Sequence, residues 1–295
     1  LPGDSFAETA IKAASDKVFY FDCTKDQRNG EFKIKLPHSV RRRNVYLFVS
    51  LADEPNDAII KTQLMLGALK NGDAGRVMLV IETMAYVNSD LRQERSPIAA
   101  ANIIRNFENA GADQIIFIDM HTQNWRMTGK VKKDDIRPRK IFADDIKARK
   151  LDDKELVFIA CPGCETSKIE SYKKVFPKAK YILELADTIF LKRMAKKKVI
   201  VIGDMITDIE KLSNLIKFLR KKKTSEIHAY ITHAVGFYNL ETLVEDLDTI
   251  SVSDTVPLTE GMSKLSKIRI VKISKFSGRV IREIDSRESV NKAEE

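Results

Sequence analysis

At 295 residues the chain exceeds what one hydrophobic core usually organises, so two α/β domains are expected. Hydrophobic residues make up 43% and charged residues 32%, which is too apolar for a disordered chain; the longest apolar runs, such as Ile115 to Ile118, fall far short of the roughly 20 residues a membrane span needs. The net charge of +9 would draw polyanions, but Arg41 to Arg43, Lys196 to Lys198 and Lys221 to Lys223 are separate clusters without interleaved aromatics, which argues against a specific nucleic-acid partner.

In chain order, Val45 to Ser50 (VYLFVS) reads as a buried strand, and Ala58 to Lys70 as an amphipathic helix ended by Asn71-Gly72. Val77 to Ile81 is the next strand, Pro97 to Asn109 a helix with proline in its first turn, and Gln114 to Ile118 a further strand. The second half repeats the scheme with strands at Leu156 to Ala160, Tyr181 to Leu185, Val199 to Ile202 and Ile227 to Thr232, and a helix over Ile209 to Leu219. Strands alternating with helices predict parallel sheets covered by helices, in two domains spanning 1–147 and 148–295. The three cysteines offer no disulfide framework, and Cys161 with Cys164 forms a CxxC that reads as a redox pair or as half a zinc site whose other half is missing. A start at Leu1 without an apolar signal segment suits either a cleaved organelle presequence, hence a mitochondrial location, or simply a boundary of the sequence, with a cytoplasmic location.

The run Gly30-Glu31-Phe32-Lys33-Ile34 through Arg41, leading into VYLFVS, is followed in order by several further fragments. These are Leu69-Lys70, Gly111-Ala112-Asp113 with Ile118-Asp119-Met120-His121, Ile231-Thr232-His233, and Ser253-Asp254-Thr255-Val256-Pro257-Leu258. In this order, from about residue 19 to Val290, the chain resembles the phosphoribosyl pyrophosphate synthetase family (ribose-phosphate pyrophosphokinase). The resemblance implies two tandem phosphoribosyltransferase-type (type I) domains and transfer of the diphosphoryl group of ATP to ribose 5-phosphate with Mg²⁺. That chemistry needs amide cradles for phosphate, carboxylates for metal and cations for the moving charge.

Matched against the family's motifs, four elements are degraded. In the ribose-phosphate loop, Val199 to Ile202 leads into Gly203-Asp204-Met205-Ile206-Thr207-Asp208-Ile209-Glu210, so the first of two acids is glycine and Ile209-Glu210 stands where a phosphate would rest. Asp204 is then either a residual ligand contact or a leftover strand-end acid. The diphosphate and metal loop reads Cys161-Pro162-Gly163-Cys164-Glu165-Thr166-Ser167-Lys168, with Gly163 in place of the Mg²⁺ carboxylate. In the ATP-contacting loop Asn88 and Ser89 replace an Arg-Gln pair, leaving Arg92 and Arg95 as displaced cations or solvated loop residues. The interval between the strands at Tyr181 and Val199, with Lys192 and Arg193, is too short and apolar for the family's mobile catalytic loop. Two features survive: Glu31 on the adenine side, and Asp119 with His121, which either ligate metal beside ATP or make structural hydrogen bonds.

The expectation is therefore a non-catalytic relative with no cofactor, in which Mg²⁺ and ATP bind only residually. It would act as a structural or regulatory subunit beside a synthetase-like paralogue or within a large complex, such as a mitochondrial respiratory complex or ribosome. The alternative is an active, divergent ribose-phosphate diphosphokinase.

Overall fold

The computed structural model describes residues 5–14, 19–87, 95–122, 128–152, 154–183, 194–206, 208–235 and 240–285. Its contacts gather the chain into two units, one built on Leu1–Ile136 with Ser277–Ala293 and the other on Arg137–Phe276.

The first unit opens with helix α1 (Ser5–Ala14) and an antiparallel hairpin of β1 (Asp22–Lys25) and β2 (Phe32–Lys35). Gly30, at φ 78°, turns the hairpin and donates its N–H to the Asp26 carbonyl at 2.7 Å. Then follow β3 (Asn44–Ser50), α2 (Pro55–Asn71), β4 (Arg76–Thr83), α3 (Ala99–Ala110), β5 (Gln114–Ile118) and β6 (Lys132–Ile136). The four strands from β3 to β6 lie side by side in chain order, all parallel. β4 and β5 are buried almost throughout, as unbroken apolar runs in a helix-covered parallel sheet require. α3 turns Ile103, Ile104 and Phe107 inward, one stripe of a 3.6-residue period.

The second unit contains α4 (Arg139–Ala148), β7 (Leu156–Ala160), α5 (Thr166–Glu170) with a 3₁₀ turn at Ser171–Lys174, and β8 (Lys180–Ile182). β9 (Lys198–Gly203), α6 (Ile209–Lys221), β10 (Glu226–Ile231), α7 (Leu240–Asp246), β11 (Thr249–Ser253), α8 (Glu260–Ser263) and β12 (Ile268–Val271) complete it. Its six strands are parallel in the order β12-β11-β10-β9-β7-β8. Val157, Ile159, Val199, Val201, Ile227 and Ala229 meet Leu212, Ile216 and Leu219 of α6 in a fully buried core.

The division at 136/137 comes earlier than the expected 147/148, because α4 packs within the second unit. The Phe142 ring lies 5.4 Å from that of Tyr230, and Arg269 donates to both Asp145 oxygens at 2.9 and 3.1 Å. Tyr230 donates to the same carboxylate at 2.6 Å. Burial would raise the Asp145 carboxyl, but these hydrogen bonds outweigh it and hold it below its ordinary value; burial pushes the Tyr230 phenol up to about 12.

The last helix, α9 (Ser274–Asp285), belongs to the first unit from Ser277 onward. It lies so close to α1 that a Cβ at Gly278 would stand 2.2 Å from the Ala10 carbonyl oxygen. Among the described residues, no helix is long and apolar enough to cross a membrane.

Candidate functional site

In an open parallel sheet the usual ligand crevice lies at the carboxyl ends of the strands, where the strand order reverses. In the second unit that point falls between β7 and β9: the chain goes outward from β7 to β8, then returns to β9 on the other side of β7. Cys161 to Cys164 follow β7 there, and Gly203-Asp204 ends β9, so topology brings together the two loops that the sequence marks as degraded.

The two loops close against one another. Cys161 N–H donates to the Ile202 carbonyl at 2.8 Å, and the Cys164 thiol to the Met205 carbonyl at 3.6 Å. At Gly203 a Cβ would lie 2.7 Å from the Cys161 Cβ, 3.0 Å from the Cys164 Sγ and 3.2 Å from the Ile231 Cδ1. The space an acidic side chain would need at the end of β9 is therefore filled by two thiols and an isoleucine. The hydrogen bond with Cys161, burial and the nearby Asp204 carboxylate raise the Cys164 thiol well above its ordinary value, so it stays protonated at neutral pH. Gly163, where the resemblance puts a metal carboxylate, has φ 89°, a conformation that side chains rarely adopt.

Asp204 is fully buried, and its carboxylate faces the Lys168 ammonium at 3.5 Å, itself only 5% exposed. A cation from this chain therefore already faces that acid. Four residues on, Asp208 caps α6: its carboxylate accepts from the Lys211 backbone N–H at 2.9 Å. Hydrogen bonds from that N–H and from the Lys211 ammonium hold the Asp208 carboxyl below its ordinary value. The sequence places Ile209-Glu210 in the phosphate's position; in the structure these two residues begin the helix, and the oxygen at its N-terminus comes from Asp208. A phosphate would have to displace this carboxylate to reach the amide donor.

In the first unit, Asp119 and His121 sit just past the carboxyl end of β5, both buried. Asp119 has φ 47°, uncommon for a residue with a side chain. Two further buried acids belong to the same sheet: Glu82 near the end of β4, and Asp135 on β6, which accepts from the Met120 N–H at 2.9 Å. Sequence reasoning missed both; their signal was an acid within the last two residues of each strand. Glu31 is exposed beside the hairpin turn, where its carbonyl accepts from Asp26 N–H at 2.8 Å. The expected contact Arg92 and the expected catalytic-loop residues Lys192 and Arg193 lie outside the described residues. β8 ends at Ile182 rather than Leu185, which likewise lies outside them.

Comparison with known proteins gives a consistent set of relatives. Residues 7–111 match the N-terminal domain of ribose phosphate pyrophosphokinase, and residues 162–293 the phosphoribosyl synthetase-associated domain. The ribose-phosphate pyrophosphokinase of Chromobacterium violaceum is 24% identical over 273 residues, covering 89% of this chain and 84% of that protein. The Haemophilus ducreyi ribose-phosphate pyrophosphokinase is 26% identical over 282 residues, covering 89% and 87%. The crystal structure of phosphoribosylpyrophosphate synthetase from Mycobacterium smegmatis superposes with a TM-score of 0.85 at 21% identity, covering 96% of this chain and 95% of that one.

Proposed function

The chain belongs to the phosphoribosyl pyrophosphate synthetase family, and from that premise we propose that it is a non-catalytic member, a structural or regulatory subunit of a larger assembly. The observation that carries this reading is the filled crevice of the second unit. Thiols occupy the space beside Gly203, Lys168 faces Asp204, and the Asp208 carboxylate holds the amide donor of α6. Phosphate cradle, metal carboxylate and first ribose acid are replaced together. Each such group contributes several kcal/mol of transition-state stabilisation, and losing them jointly multiplies the rate penalty.

Under this reading no cofactor is bound in the second unit, and the buried core keeps the fold while its surfaces meet a synthetase-like paralogue or a large complex. The experiment is isothermal titration of the purified protein with Mg²⁺-ATP and with ribose 5-phosphate, beside a coupled assay for AMP release. Absence of AMP and of ribose 5-phosphate binding is the expected result; AMP release at a rate typical of enzymes overturns the proposal. Fractionation of cells expressing the tagged chain tests the further expectation of a mitochondrial assembly.

A second reading, an active divergent synthetase, draws on the first unit. Asp119 in its left-handed conformation and buried His121, just past the end of β5, are the two residues that the resemblance puts beside a metal-nucleotide, with the buried acids Glu82 and Asp135 on the neighbouring strands. Titration separates the two: Mg²⁺-ATP binding with AMP release favours this reading, while binding without release leaves a nucleotide-sensing subunit.

A further inference from the structure

Lys196 to Lys198 and Lys221 to Lys223, well separated in the sequence, meet in the fold of the second unit. β9 and β10 are parallel neighbours, so the segments leading into them lie side by side at the amino end of the sheet, opposite the crevice. Lys196 N–H donates to the Lys223 carbonyl at 2.9 Å. Ser225 ties the two segments further, donating to the Lys197 carbonyl from its N–H at 2.9 Å and from its hydroxyl at 2.7 Å.

The acids nearby are already matched: Glu155 pairs with Lys197, Glu226 with Lys198 at 3.3 Å and Asp248 with Arg220 at 2.7 Å. Lys196, Lys221 and Lys223 are exposed, and they, Lys217 and Lys222 enter no ion pair among the described residues. Helix capping accounts for part of this charge, because cations favour the carboxyl end of a helix and Lys221 and Lys222 end α6. It does not account for Lys196 and Lys223. Their φ values of 61° and 59° lie in the left-handed region, where the backbone alone would favour glycine, yet both carry an exposed ammonium.

One turn before Lys222 on α6, Phe218 is 36% exposed, and the Lys222 ammonium stands 5.2 Å from its ring centroid. Unmatched ammonium groups beside an exposed aromatic ring suit an unpaired nucleotide strand, whose phosphates meet the lysines while a base stacks on the ring. A membrane surface fits less well, because the neighbouring exposed residues of α6, Asn214, Lys217 and Lys221, offer no apolar stripe to insert.

We propose that this rim binds a single-stranded nucleic acid through its phosphate backbone, without reading its sequence, and that Phe218 stacks on one base. The inference goes beyond the subunit role above and does not depend on it, since the crevice lies at the other end of the strands.

Fluorescence anisotropy of the whole chain with labelled oligouridylate and oligothymidylate of about twelve nucleotides tests it. Both should bind at low salt, with log affinity falling against log salt at a slope of about −2 to −3.5, as about three to five phosphate contacts on a single strand require. Equal affinities mean that phosphate alone is read, and tighter RNA adds a contact to the 2′-hydroxyl; either result supports the rim. Lys196→Gln, Lys221→Gln and Lys223→Gln together should weaken binding at least about tenfold and make the slope shallower by about two, with circular dichroism unchanged, all three being exposed. Phe218→Ala should weaken it about tenfold. Lys33→Gln, Arg42→Gln and Arg43→Gln, the same change of charge in the first unit, should leave it nearly unchanged. No binding at about 50 mM salt, an equal loss from that control or binding indifferent to Phe218→Ala overturns the proposal. So does a duplex bound as tightly as the single strands, or tighter binding of phosphatidylserine vesicles or polyglutamate at equal charge.

Discussion

Placing a methyl group on Gly203 tests whether the crevice of the second unit is closed. The added Cβ would meet the Cys161 Cβ at 2.7 Å and the Cys164 Sγ at 3.0 Å, where ordinary carbon contacts lie at about 3.5–4.0 Å. Cys161 is bound through its backbone to β9, so relief requires a shift of the loop or the strand. Overpacking of this kind costs about 1–3 kcal/mol, against which the stiffer unfolded chain returns about 0.4–1 kcal/mol, leaving a net destabilisation near 1–2 kcal/mol. Circular dichroism during chemical and thermal unfolding should show a lower midpoint, by roughly 2–8 °C for a protein of this size. Adding Cys164→Ala, which removes the sulfur but not the Cys161 contact, should recover part of the loss. A neutral or stabilising Gly203→Ala would mean the thiols leave room beside β9, and the argument for a closed crevice would fail with it.

Other substitutions probe the charges around this crevice. Lys168→Met removes the ammonium that faces the buried Asp204 carboxylate and should destabilise by about 3–5 kcal/mol, while Lys168→Met with Asp204→Leu should be markedly milder; equal losses, read by denaturant titration, would refute the pairing. Asp208→Ala should lower the unfolding midpoint and Asp208→Asn should largely keep it. Because the folded Asp208 carboxyl is held low, its contribution is present above the ordinary carboxyl range and disappears as pH falls through the folded value; a pH-independent difference would contradict the cap. Burial, outweighing the Glu226 hydrogen bond, lowers His228 below its ordinary value of 6.5, so the unfolded chain takes up a proton that the folded one refuses. Stability should therefore fall as pH drops from neutrality through 6.5 towards the folded value, and His228→Gln should flatten that slope in thermal melts across this range.

What could be read from the sequence mostly follows burial, with β11, buried from Ile250 to Ser253 but not read as a strand, the exception. β5 and β7 run exactly where their apolar stretches predict, and β3, β4, β9 and β10 begin or end within about two residues, the usual uncertainty of strand boundaries, because buried parallel strands read as continuous apolar runs. β6 (KKDDI) escaped because, as the end strand of its sheet among the described residues, it is built of four charged residues before Ile136 and so carries no apolar signature. β12, the end strand of the other sheet, is likewise only partly buried and was missed. At the site, Gly203 and Gly163 stand out as glycines where the resemblance puts acids, since a residue type can be matched position by position. That Cys161 and Cys164 fill the gap was not, because it depends on β7 and β9 being neighbours in space although β8 lies between them in sequence. Asp208 as a cap had a local signal, an aspartate immediately before an amphipathic helix, which the comparison with phosphate loops obscured.

The seam between α1 and α9 bears on how the molecule is made. Phe6 and Ala10 of α1 are buried, and α9, which supplies Gly278 beside the Ala10 carbonyl and Arg282 Nε to the Ala14 carbonyl at 3.4 Å, is translated after the second unit. A nascent chain can form the sheet from β3 to β6 early, yet the unit holding it lacks a helix until the second unit has been synthesised whole. Translation order and folding order therefore diverge: the half that emerges first is the half completed last. A chain stopped after Phe276 should be cut by protease within the first unit much sooner than within the second.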